Sequence, residues 1–94
     1  MNAVYKALAD PTRRKILELL RDKDRSAGEL AEHFALAKPT LSKHFAVLRE
    51  ADLIQGDKAG TTITYRLNVT VLEEALMALM NTMRIGVEDT RNDR

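Results

Sequence analysis

Lys38, Thr40, Ser42 and Lys43 bring two ammoniums and two hydroxyls together at the start of one apolar-periodic segment. Such groups at a helix start suit phosphate and base-edge contacts, because the first-turn N–H groups point at the same anion. A solvated helix face explains any one of them equally well, and it is the grouping that favours contact with nucleic acid. Ser42, Lys43 and His44 also offer a nucleophile, a cation and a base in a row. Consecutive residues diverge by about 100° around a helix, which keeps this hydroxyl and this imidazole apart. The chain has no glycine-rich phosphate loop, no His-Glu-x-x-His and no carboxylate pair in an apolar setting. An enzyme is therefore not expected, and no cofactor is implied.

The elements that would hold these residues follow from periodicity and caps. Leu41, Phe45 and Leu48 recur at helical spacing over Lys38 to about Ala51, leaving Pro39, Thr40, Ser42, Lys43 and Val47 outward. Pro39 fits only the first turn of that helix. Upstream, Ser26 and Glu29 form a capping box that opens a helix to about Phe34, with Leu30, Ala31 and Phe34 inward. Two short helices joined by Ala35-Leu36-Ala37 make a helix-turn-helix. Asp10 as N-cap and Pro11 at the first position start an earlier helix, striped by Ile16, Leu17, Leu19 and Leu20 and ending near Asp22 to Asp24. A short helix over Ala3 to Ala9 precedes it.

Downstream the period changes. Leu53-Ile54 begins an extended run, Asp57-Lys58-Ala59-Gly60 reads as a turn, and Thr62 to Leu67 alternates. Ile63, Tyr65 and Leu67 share one face, with Thr62, Thr64 and Arg66 on the other. A β-hairpin directly after a helix-turn-helix is a wing. Thr70 and Glu73 read as a second capping box, opening a last helix of about 14 residues. The predicted fold is mainly α with a small β-hairpin, a single winged helix-turn-helix domain over 1–94 in the order α-α-α-α-β-β-α. About 86–94 read as a flexible polar tail.

The chain has 94 residues, 15 basic and 14 acidic, for a net charge of +1, so bulk charge does not announce a nucleic-acid partner. The placement of the charges matters more: Arg13-Arg14-Lys15, Lys38 with Lys43, then Lys58 and Arg66. With no cysteine there is no disulfide framework and no thiolate metal site. No apolar run approaches the roughly 20 residues that span a bilayer, and no signal-peptide pattern opens the chain. The cytosol is the expected compartment. The last helix carries Val71, Leu72, Ala75, Leu76, Ala78, Leu79, Met80 and Met83, more than one stripe. A helix apolar on two faces needs two packing partners, here its own domain and a second copy across a two-fold axis.

Three stretches occur in a telling order: Asp10-Pro11-Thr12-Arg13-Arg14-Lys15-Ile16-Leu17, Ala27-Gly28-Glu29-Leu30-Ala31, and Lys38-Pro39-Thr40-Leu41-Ser42-Lys43-His44. From about Val4 to the last helix the chain resembles the ArsR family of winged-helix repressors, and within it the SdpR-type autorepressors. The resemblance implies that the helix from Lys38 is the recognition helix. It also implies a homodimer built from the first and last helices, through Val4, Tyr5, Leu8, Leu72, Leu76, Leu79, Met80 and Met83. DNA contacts carry over to Ser42 and Lys43, and by extension to Lys38 and Thr40. His44 lies at the edge of the buried face, where a packed or hydrogen-bonded state and a phosphate contact are both open to it.

Three departures from the family pattern stand out. Ala37 replaces a capping Ser, Asp52 replaces the Gly after the recognition helix, and Thr61 follows Gly60 where an Arg is common. Lys58, with Thr61, becomes the wing's candidate for DNA contact. Family metal sites need two cysteines where Ala31 and His33 stand, or a His with carboxylates on the last helix, so metal sensing is not expected. The resemblance implies a double-stranded DNA operator, control of the chain's own operon, and release by a sequestering partner protein, such as a membrane sensor or immunity protein. The alternative is a winged-helix module that mainly binds protein and holds DNA weakly or without specificity.

Overall fold

The computed structural model describes residues 2–86. Five helices and three strands follow one another as α1 (Asn2–Leu8), α2 (Pro11–Asp22), β1 (Arg25–Ser26), α3 (Ala27–Ala31), α4 (Lys38–Glu50), β2 (Ile54–Ala59), β3 (Thr62–Leu67) and α5 (Val69–Met83). The tail expected from Gly86 onward falls, beyond Gly86 itself, outside the described residues.

Local chemistry explains where most helices begin. Asp10 Oδ1 accepts from the N–H of Thr12 at 2.7 Å and of Arg13 at 3.2 Å, satisfying two first-turn donors of α2. The capping box forms as read: Glu29 N donates to Ser26 Oγ at 3.0 Å, and Ser26 N to Glu29 Oε1 at 2.8 Å. The helix it opens ends at Ala31 rather than Phe34. Past that point Glu32, His33 and Phe34 donate to carbonyls three residues back, the tighter 3₁₀ pattern that turns the chain toward α4.

The sheet is antiparallel in the order β1-β3-β2. Its edge strand β1 was not read from the sequence, since two residues carry no periodicity. Arg25 pairs with Tyr65 and Ser26 with Thr64, so the residue that caps α3 also fastens the helix-turn-helix to the wing. The hairpin turn is shorter than expected. Asp57, Lys58 and Ala59 continue β2 opposite Thr64, Ile63 and Thr62, and only Gly60-Thr61 turns. Gly60 takes the positive φ of 64° that this two-residue turn requires.

The second capping box does not form. α5 begins at Val69 with Asn68 as its cap, which places Thr70 inside the first turn. Nor does Val47 point outward: it is half-buried against the core, because α1, α2 and β2 pack around α4. One core runs through the chain, drawing Val4 and Ala7 from α1 and Ile16, Leu17, Leu19 and Leu20 from α2. Leu30, Leu41, Phe45, Leu48, Leu53, Ile54, Tyr65 and Ala75 complete most of it. No polar or charged side chain is buried among the described residues, and no helix there is long and apolar enough to cross a membrane.

Candidate nucleic-acid interface

Burying Leu41, Phe45 and Leu48 sets the rotation of α4 and leaves Lys38, Pro39, Thr40, Ser42 and Lys43 exposed along its opening turns. Ala37 stands at the N-cap and supplies no side-chain bond, so no side-chain oxygen competes there for the first N–H groups of α4. At the other end Asp52 adopts φ 60°. Its N–H donates to Arg49 O at 2.9 Å and that of Leu53 to Leu48 O at 3.0 Å. This is a Schellman closure with Asp where Gly is the usual residue, at a cost of about 1 kcal/mol.

The wing is locked to this helix by aromatic packing. The rings of Phe45 on α4 and Tyr65 on β3 lie 4.9 Å apart, inclined at 38°. Opposite Tyr65 stands Gly56, where a Cβ would come within 3.0 Å of Tyr65 Cε1 and 3.2 Å of Ile63 Cγ2. Sequence reasoning passed over Gly56; its signal was an isolated glycine within a strand. Lys58 and Thr61 are exposed on the hairpin that this packing orients.

The cations divide into two groups. Arg13 and Arg14 turn their guanidiniums to the last carbonyls of α1, Arg13 donating to Lys6 O and Ala7 O and Arg14 to Leu8 O. Lys15 pairs with Glu18 at 3.0 Å. Arg66 is held by Asp57 at 2.8 Å and by Gln55 at 2.7 and 3.0 Å. Among the described residues, Lys38, Lys43 and Lys58 carry no ion pair. Their donors remain open to phosphate, as do those of Lys6, Lys23, Arg49 and Arg84, which lie away from the opening turns of α4 and from the wing. His44 is half-buried, with Arg13 Nη1 3.1 Å from its Nδ1. Asp10, across the same junction, has its carboxyl held below the ordinary value. Partial burial raises it, but the N–H groups of Arg13 and Thr12, the charge that His44 carries when protonated and the guanidinium of Arg13 outweigh that.

Residues 10–55 match the ArsR family of bacterial regulatory proteins. The chain is 45% identical over 89 residues to the transcriptional repressor SdpR of Bacillus subtilis (strain 168), covering 95% of this chain and 99% of that one. The chain belongs to the ArsR family.

Other ArsR-family relatives agree. The arsenical resistance operon repressor of Staphylococcus aureus is 34% identical over 79 residues, 84% of this chain and 76% of its own. A crystal structure of an ArsR family transcriptional regulator matches with a TM-score of 0.82 at 30% identity, over 88% of this chain and 91% of that one. The protein is a DNA-binding transcriptional repressor of this family and not an enzyme. Its fold is the winged helix-turn-helix of those relatives, enlarged from the expected hairpin to three strands by β1.

The residues expected at a dimer contact fall into two sets. Val4 is buried in the protomer's own core, and Tyr5, Leu8 and Leu72 are half-buried. Leu76, Leu79, Met80 and Met83 lie open on α5, Leu76 exposing 43% and Met83 60% of its surface. Ala75 is the one fully buried residue of α5.

Proposed function

We propose that this repressor is a homodimer that occupies a palindromic operator in its own upstream region. The observation that carries the reading is the pairing of two unlike surfaces. One is the open polar start of α4, with cations free of ion pairs among the described residues. The other is the bare apolar face of α5. Lys38, Thr40, Ser42 and Lys43 enter the major groove with α4, while Lys58 and Thr61 meet the backbone or minor groove from the wing. A two-fold axis against α5, with Tyr5 and Leu8 of α1 alongside, covers Leu72, Leu76, Leu79, Met80 and Met83. It sets two recognition helices about 34 Å apart, one helical turn of DNA. Repression is then occlusion of a promoter and needs no catalysis.

Release is through a sequestering partner protein rather than a metal. His33 stands exposed on the short turn after α3, and His44 is engaged by Arg13 on another element, so the two histidines do not share a site. The test is a fluorescence-anisotropy titration against a duplex carrying the chain's own upstream region, with scrambled duplex as competitor, at two salt concentrations. Selective binding of two protomers per duplex that weakens steeply with salt is the expected result. No preference over scrambled duplex would sink the autoregulatory reading.

A further inference from the structure

Arg13 joins three helices. From α2 its Nε donates to Ala7 O at 2.9 Å and its Nη2 to Lys6 O at 2.8 Å, both on α1. Its Nη1 lies 3.1 Å from Nδ1 of His44 on α4, a residue 31 positions away. A guanidinium has donors only, so this last contact requires an imidazole that is neutral and carries its proton on Nε2. His44 directly follows Lys43, an exposed cation on the opening turns of α4.

We propose that Arg13 is a positioning residue of the DNA-binding surface. Through neutral His44 it ties the recognition helix to the end of α1, and operator affinity falls when His44 takes a proton. This rests on the reading of α4 as the DNA-contacting helix. The charged groups at the junction are Arg13 from α2 and Asp10 at the N-cap of α2, whose carboxylate feels both His44 and Arg13. α1, which packs on α4, adds the exposed Lys6, and α4 itself adds Lys43. Protonation turns the Arg13 contact into a meeting of two cations and offers the imidazolium to Asp10 instead. Arg13 then holds α1 alone.

The sign of the effect separates this role from a phosphate contact. An imidazolium that touched phosphate would tighten binding as pH falls; a positioning imidazole loosens it. The measurement is anisotropy at constant ionic strength on a duplex selected by the wild-type protein from a random-sequence pool. It is made at about pH 8 and about pH 5.5, on either side of the range in which imidazoles ionise. Wild type is expected to lose about tenfold in affinity at the lower pH, the scale of one hydrogen bond to a charged group. His44→Asn places Oδ1 where Nδ1 stood and cannot take a proton, so it should rescue binding to within about threefold at both pH values. His44→Leu should bind about tenfold more weakly at both.

His33 is common to all three proteins and cancels. Equal pH profiles for wild type and His44→Asn, or tighter wild-type binding at the lower pH, would overturn the proposal. Imidazole nitrogen NMR of the free protein decides the tie without DNA. An Nε2–H tautomer at His44 near pH 8 that is lost in Arg13→Gln is expected, and an Nδ1–H tautomer overturns it. Failure to select any duplex would count against the DNA reading, while the tautomer would still decide the contact.

Discussion

The recognition helix and the last helix are nearly equal in length, 13 residues in α4 and 15 in α5, yet they use their apolar residues in opposite ways. α4 buries Leu41, Phe45 and Leu48 and turns ammoniums and hydroxyls to solvent. α5 buries only Ala75 and leaves Leu76, Met77, Leu79, Met80 and Met83 bare. A polar outer face remains stable in water or beside phosphate, while a contiguous apolar one calls for another protein surface. The same fold thus presents one face suited to DNA and another suited to a protein surface.

The sharpest way to break this contrast is to remove what each helix buries. Leu48→Ala empties a fully enclosed site, since Leu48 has no exposed surface. It should cost about 2–5 kcal/mol in urea denaturation, and a loss below about 1 kcal/mol would show that α4 is not anchored as described. The α5 counterpart is the double change Leu76→Glu with Leu79→Glu. It should weaken self-association at least about 100-fold, roughly 2.7 kcal/mol, in sedimentation equilibrium while leaving helix content intact. A variant that stayed dimeric would move the two-fold axis off α5.

Smaller effects probe the polar side. Lys43→Ala should weaken operator binding by about 1–3 kcal/mol if it reads a base, or lower the salt slope by about one if it meets a phosphate. An unchanged titration would take Lys43 out of the interface. Asp10→Ala removes the α2 cap and should cost about 1 kcal/mol near neutral pH. Asp10 titrates below its ordinary 3.8 when folded, so the cap's contribution is full above that value and is lost as pH falls through the depressed native one. The gap between wild type and Asp10→Ala in chemical denaturation should therefore close between about pH 5 and about pH 2. A gap of constant size would mean that the carboxylate charge contributes nothing.

What could be read ahead of the structure was local. The Asp10-Pro11 start, the Ser26–Glu29 capping box and the Leu41, Phe45, Leu48 stripe each depend on residues within two turns of one another, and each stands where the pattern put it. Local reading failed where a neighbour decided the outcome. Thr70 and Glu73 have the spacing of a capping box, but the chain leaving β3 enters the helix two residues earlier, and the cap falls on Asn68. Asp57 and Lys58 look like turn residues, yet cross-strand pairing with Thr64 and Ile63 keeps them in β2. Val47 lies on the helix face predicted to be outward, and is covered because α4 has neighbours on more than one side.

The basic residues mark the boundary most clearly. By itself the sequence determined the helix-turn-helix, its wing and the apolar surplus of the last helix, because periods and caps are properties of short stretches of chain. Which cations remain open for DNA was decided only by tertiary structure. Arg13, Arg14 and Lys15 form the densest basic run in the chain, and all three are engaged within the protein. Lys38, Lys43 and Lys58 are scattered and unpaired among the described residues. A guanidinium can donate to a phosphate or to a helix-end carbonyl; within the folded protein it takes the acceptor that the fold brings within about 3 Å. For Arg13 the fold supplies the end of α1 and, 31 residues along the chain, the ring of His44.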